Sequence, residues 1–160
     1  MKSSRCSNRV TWFWQIISLC LAGAVDLKIA DKLQEMGPSR IEDLVAACHA
    51  RPDRLHQVLR VLYSNEIFAY DKCKKTYRNN HTSTLLLSDH WTQWHHWATS
   101  YANQFYDMAR GILGTLQEDA KRTPSQINYD TDMDMFTYFN SQGWMPQLHK
   151  TFGAGATAQA

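Results

Sequence analysis

The chain is sparing with cysteine, proline and glycine, which number 4, 4 and 7 in 160 residues. The cysteines, Cys6, Cys20, Cys48 and Cys73, never form a C-x-x-C pair. That spacing excludes the common zinc modules. So few cysteines in a chain this long make no disulfide framework, and free thiols are expected. Charge of one sign is also scarce, with a net +2 at pH 7. A dedicated nucleic-acid binder carries a denser basic surface. No apolar run is long enough to span a membrane. There is no G-x-S-x-G elbow, no H-E-x-x-H pair and no internal repeat. What the chain does have is 44% apolar residues, enough for one domain with a real core.

The stretch from Pro52 to Tyr77 organises the rest. Leu55, Val58, Leu59 and Leu62 recur at helical spacing and define one apolar face. Pro52 suits a first helical turn, and Asn65 is expected as a left-handed stop. Ile67 to Tyr70 reads as a strand, Asp71 to Lys75 as a polar turn, and Thr76-Tyr77 as a return strand. Helix, strand, basic turn and strand form the second half of a winged helix-turn-helix. Before it, Ser39-Arg40-Ile41-Glu42 reads as a capping box that opens a short helix, Ile41 to Ala47.

The N-terminal segment has two readings. Lys2, Arg5 and Arg9 precede an apolar stretch that ends in Ala22-Gly23-Ala24, the pattern of a cleaved signal peptide. Asn80-His81-Thr82 is a glycosylation sequon that would accompany secretion. Against this, Ile16, Leu19, Cys20, Gly23, Leu27, Ala30 and Leu33 keep helical spacing through the cleavage point. The preferred expectation is one core helix from Trp12 to Glu35, stopped by Gly37-Pro38, in a cytoplasmic protein. A secreted protein cut near Ala24 is the alternative.

After the wing, Ser83 to Leu87 reads as a short helical turn. One long helix is expected from Trp91 to Leu116. Along it Trp94, Trp97, Tyr101, Phe105, Met108 and Ile112 make a near-heptad stripe. Large aromatics on a long helix with little chain left to cover them point to a partner surface. Trp94, Trp97, Tyr101, Phe105 and Met108 are therefore the candidate dimer interface. Gln117 to Gln126 reads as a loop. Asp132 is the expected cap of a short helix ending near Gly143. A last helix is expected from Met145 to Phe152.

Candidate chemistry is thin. Asp130, Asp132 and Asp134 open like a calcium loop, but Met135 and Ser141 stand where that loop needs glycine and glutamate. Their better reading is helix capping. His90, His95 and His96 lack the spacing of metal ligands on one helix face, so surface or capping roles are expected. Gly153 and Gly155 follow no hydrophobic strand and make no phosphate cradle. No metal, cofactor-binding or catalytic residue is assigned. Arg54, His56, Gln57 and Arg60 on the third helix, with Lys72, Lys74 and Lys75 at the wing tip, could meet DNA in a regulator. Near-neutral charge favours an ordinary solvated face.

These segments, in this order, resemble the N-terminal dimerisation domain of class I small-molecule O-methyltransferases. The resemblance rests on Ala24 to Leu33, Ile41 to Ala46, Arg54 to Leu62, Ile67-Phe68, Tyr77 to Asn80, Ser83 to Leu87 and Met135 to Asn140. It implies a mainly α fold: a winged helix-turn-helix with a small β-hairpin wing plus long C-terminal helices that pack in a dimer. Residues 12–80 would be the winged-helix core and 81–152 a helical extension for dimerisation and the substrate pocket, with 1–11 and 153–160 flexible.

It also implies an S-adenosylmethionine-dependent enzyme of secondary metabolism once a catalytic domain is present. The chain ends at Ala160, before the donor site of that family would begin, so the expectation is a truncated module, inactive alone. Expected partners are a second copy or a full-length methyltransferase, with a small aromatic or polyketide-type substrate and no nucleic acid or membrane. Met135, Phe136 and Phe139 would lie at the substrate end, by family position. The alternatives are a stand-alone binding module and a winged-helix regulator.

Overall fold

The computed structural model describes residues 10–117 and 119–157. It is the mainly α winged helix-turn-helix expected, with a single two-stranded hairpin among the described residues.

The N-terminal segment is two helices rather than one. Helix α1 runs Val10–Asp26 and α2 runs Ile29–Met36, with Lys28 between them in the left-handed region at φ 52°. The break buries Ile29, Ala30 and Leu33 in the core. The Leu27 carbonyl accepts from the Cys48 thiol at 3.5 Å. The helical spacing misjudged α1 in one respect. Ile16 and Leu19 are 50% exposed, while Cys20, Leu21, Ala24 and Val25 face the core. The Ala22-Gly23-Ala24 stretch lies inside this helix. The charged residues that precede it, up to Arg9, lie outside the described residues.

Gly37, at φ 74°, ends α2, a conformation that glycine adopts without steric cost. Helix α3 spans Ile41–Cys48. Its cap is shifted by one residue from the expected box. The Arg40 amide donates to the Asp43 carboxylate at 3.1 Å. Ser39 is instead buried in an antiparallel bridge with Tyr77, at 2.9 and 2.8 Å. A long-range backbone pair took the serine that local pattern assigned to a helix.

Helix α4 spans Pro52–Ser64 with Pro52 in its first turn. Helix α4 packs on α1 and α3, and its Leu55, Leu59 and Leu62 are buried in the shared core, each contributing about 1.5–3 kcal/mol. Asn65 is not the left-handed stop, since its φ is −109°. Its amide holds the Val61 carbonyl at 2.8 Å, and Glu66 takes the positive φ of 61°. Strands β1 (Ala69–Asp71) and β2 (Thr76–Arg78) pair with Tyr70 opposite Tyr77. The Asp71 carboxylate accepts from the amides of Cys73 and Lys74 and so shapes the wing tip. Those amides, Lys74 first, hold its pKa below the usual value.

Asn80 caps helix α5, His81–Thr84. Its side chain accepts from the amides of Thr82 and Ser83 at 2.9 Å, and its amide group donates to Glu66 at 2.8 Å. The sequon asparagine is thus a fold element that locks α5 to the end of α4.

The long helix is a composite rod that begins at Trp94, because Gln93 sits at φ 53°. Helix α6 (Trp94–Ser100) passes into a π-helical turn, Tyr101–Phe105. Helix α7 (Tyr106–Arg110) and a 3₁₀ segment, Gly111–Leu116, complete it. The expected loop holds a helix, α8 (Pro124–Asn128), capped by Thr123 and started by Pro124. It packs on the 3₁₀ segment and α7. Helix α9 spans Met135–Ser141, and its cap is Asp134, not Asp132. Asp134 accepts from the amides of Phe136 and Thr137 and from the Thr137 hydroxyl, and the Thr137 bonds depress its pKa. Helix α10 runs Met145–Thr157, beyond the expected end at Phe152, and packs on α6.

Candidate functional site

The aromatic stripe forms one connected surface on the first part of the rod. Trp97 is its centre, with ring centroids 6.3 Å from Trp94, 5.4 Å from Tyr101 and 6.4 Å from Phe105. Tyr101 and Phe105 lie 5.2 Å apart. Phe152 of α10 meets Trp97 edge-on at 5.6 Å. Tyr101 and Phe105, at the two ends of the π turn, keep their rings in contact at a 38° tilt. Tyr101 is 56% exposed and Trp94 is also exposed. Met108 sits apart, half-buried on α7, where the rod packs on α8.

Between this surface and α1 lies a groove of about 210 Å³, lined by Ser18, Leu21, Leu86, Trp94, Trp97 and Tyr101. Its lining is mostly apolar side chain and ring, with the Ser18 hydroxyl as an exception. The exposed Ile16 and Leu19 belong to the same helix. Sequence reasoning assigned both to the core. Their position three residues apart was visible, but the side of α1 that meets α6 was not.

The three substrate-end residues do not share one environment. Phe136 is 52% exposed and Met135 half-buried, whereas Phe139 is 1% exposed. Phe139 packs against Trp144 at 5.3 Å and Tyr129 at 6.4 Å. The recess beside it, toward Ser100 and Gln104, measures about 10 Å³, room for no more than a water molecule. Burial first, then Asp107 and Tyr138, pushes the Tyr129 hydroxyl up to about 12. That hydroxyl donates to the Gln104 carbonyl at 3.1 Å, tying α8 to the π turn.

The polar clusters have structural partners. Arg122 forks onto Asp130 at 3.2 Å and Asp132 at 3.1 Å. His90 pairs with the Thr92 hydroxyl at 2.7 Å, a turn role. His95 and His96 are not surface residues: they are half-buried, with ring centroids 4.0 Å apart. Burial lowers the pKa of both. Among the described residues no group of three or more potential ligands could hold a metal ion. On α4, Asp53 pairs with both Arg51 and Arg54, so part of the outer basic face is internally neutralised. The hairpin is the only sheet among the described residues.

The O-methyltransferase dimerisation domain family matches residues 13–89. Among curated relatives, the trimodular acetylaranotin synthesis protein ataIMG of Aspergillus terreus is 56% identical over 88% of this chain. The O-methyltransferase aclM of Aspergillus oryzae is 52% identical over 88%. The chain spans 16% and 33% of their respective lengths. Two solved structures share the fold. CalO1, a methyltransferase in calicheamicin biosynthesis in its SAH-bound form, aligns over 99% of this chain and 47% of its own, with TM-score 0.79 and 16% identity. Human N-acetylserotonin methyltransferase, in complex with SAM, aligns over 95% of this chain and 46% of its own, with TM-score 0.76 and 17% identity. With the winged helix and its hairpin wing in place, residues 13–89 belong to the O-methyltransferase dimerisation domain family.

Proposed function

We propose that this chain pairs with a second copy of itself through the face made by Trp94, Trp97, Tyr101 and Phe105. The observation that carries this is the contiguous aromatic surface, left partly in water beside an apolar groove. Water-exposed aromatic surface of this kind is stabilised by a partner. The exposed Ile16 and Leu19 extend it onto α1. In this reading residues 12–80 are the winged-helix core and 81–152 the assembling extension. Met108 lies at the margin of the seam.

The pairing serves O-methylation of a small aromatic or polyketide-type molecule when a domain binding S-adenosylmethionine is present. The relatives' names support that assignment. Met135 and Phe136 would contribute to the substrate end, with Phe139 supporting them from behind. No described helix is long and apolar enough to cross a membrane, and we place the work of the protein in the cytoplasm.

Light scattering at micromolar concentration tests the central claim. A mass of twice 18.5 kDa is expected for the chain. A monomer across that range would sink it.

A further inference from the structure

Helix α10 packs on α6, and α6 carries two histidines in contact. The rings of His95 and His96 stand 4.0 Å apart, centroid to centroid, and both are half-buried. The Leu87 carbonyl faces the His95 ring. The Nδ1 atom of that ring is buried and has no hydrogen-bond partner. A neutral imidazole suits this setting with its proton on Nε2 and a bare lone pair at Nδ1. A charged ring would bury an N–H at Nδ1 with nothing to accept it, and such a group is costly.

The surrounding charges also favour a neutral pair. Among the described residues Asp31 of α2 is the one carboxylate that acts on His95. Both its oxygens are occupied, accepting from the Ser88 amide at 2.9 Å and the Ser88 hydroxyl at 3.0 Å. Lys150 of α10 opposes a charge on either ring. Lys32 and Glu35 of α2 pair with each other. His149 on α10, Asp26 at the end of α1 and Asp89 in the turn before α6 stand in water. His90, in that same turn, is paired with Thr92. The π turn carries no group that titrates near neutrality. Burial is the largest cause of the lowered pKa of both rings.

The hold of α10 rests on Leu148, 3% exposed, and on Phe152, which meets Trp97 of α6 edge-on at 5.6 Å. Two charged rings in contact repel each other and Lys150, and lifting α10 away relieves both by admitting water. We propose that the touching pair His95 and His96 is an acid-sensitive latch: with both rings neutral α10 stays on α6, and with both charged it lifts away and uncovers Trp97. The packed state binds fewer protons than the open one. The latch is therefore shut above the ordinary histidine value of 6.5 and opens as pH falls through the lowered values. Trp97 is the centre of the aromatic face, so opening changes what that face presents. The latch itself stands whether or not the face pairs with a second copy.

Amide hydrogen exchange of the whole chain tests the proposal, read residue by residue by NMR from about pH 7.5 to about pH 5 and corrected for the intrinsic pH dependence of exchange. Protection at Leu148 and Phe152 should fall about tenfold or more as pH drops, while Leu59 and Leu62 of α4 keep theirs. Ring nitrogen signals from the same samples should show neutral His95 with its proton on Nε2. Both rings should gain charge over the range in which α10 opens. His95→Gln/His96→Gln should hold α10 protected throughout. Rings that charge while α10 stays protected would overturn the latch, and so would an α10 that opens while the rings are neutral. A His95 proton on Nδ1 would remove its seat. Protection lost in α10 and α4 together would assign the acid response to global unfolding instead. The ring titration uses the parent chain, so it decides the matter even where the double variant does not fold.

Discussion

Replacing Tyr101 with aspartate should split the proposed dimer while leaving the subunit folded. Tyr101 is 56% exposed in the single chain, so of a tyrosine's roughly 200 Å² about 110 Å² remains in water. Covering that area is worth about 2.8 kcal/mol at about 25 cal/mol per Å². A two-fold interface uses the same residue on both sides, so the loss doubles to about 5.5 kcal/mol. That is about four decades in dimer dissociation constant. The introduced carboxylate adds a desolvation cost in the same direction. Sedimentation equilibrium across nanomolar to high micromolar concentration reads the constant directly. Circular dichroism on the same variant should show retained helix, because the side chain points outward from the rod. Tyr101→Phe keeps the ring and should stay within about tenfold of the parent. An aspartate variant whose dissociation constant stays within about tenfold of the parent would refute the seam.

Three further outcomes follow from local geometry. Asn80→Ala removes a double cap on α5 and the bond to Glu66, and should cost about 2 kcal/mol in urea unfolding. Asn80→Asp keeps the capping oxygen and should lose less; equal losses would show that the cap is not the main contribution. Gly111→Ala would place a Cβ 2.0 Å from the Pro124 carbonyl oxygen, so it should lower stability by about 3 kcal/mol and unseat α8. A wild-type melting temperature would contradict that contact. His95 and His96 both have pKa values lowered by burial, with Asp31 and Lys150 acting on His95 in opposite senses and Lys150 lowering His96. The folded state then binds fewer protons than the unfolded one, so stability is full above the ordinary histidine value of 6.5 and falls as pH drops through the folded values. A thermal-melt series across that range should flatten in His95→Gln/His96→Gln; an unaltered slope would place the titration elsewhere.

The winged-helix half was legible because its signals are local. Apolar spacing in α4, Pro52 at its start and the alternation of the wing each specify a structure within a few residues. Where reading failed there, a distant partner intervened. Ser39 looked like a helix cap and was taken by Tyr77, across the sheet. The turn at Lys28 has no glycine or proline to announce it, and burial of Ile29 and Ala30 enforces it. Asn65 and Asp132 were sensible caps whose neighbours, Glu66 and Asp134, took those roles. In the second half, the aromatic stripe was plain in the sequence. The π turn was not, because no residue type marks it. The polar run before Ile127 hid α8, although Thr123-Pro124 is a helix start in its own right.

The π turn has a consequence for how the chain tolerates change. It carries one residue more than an α-helical turn, and each residue in a helix rotates the next by about 100°. Everything after Phe105 is therefore turned relative to a regular helix. Ile112, Leu113 and Leu116 stand exposed on this downstream segment. A one-residue deletion between Tyr101 and Phe105 would act as a rotation of the whole downstream segment, carried to α8 through its contact with the rod. This stretch should accept many substitutions and almost no change in length.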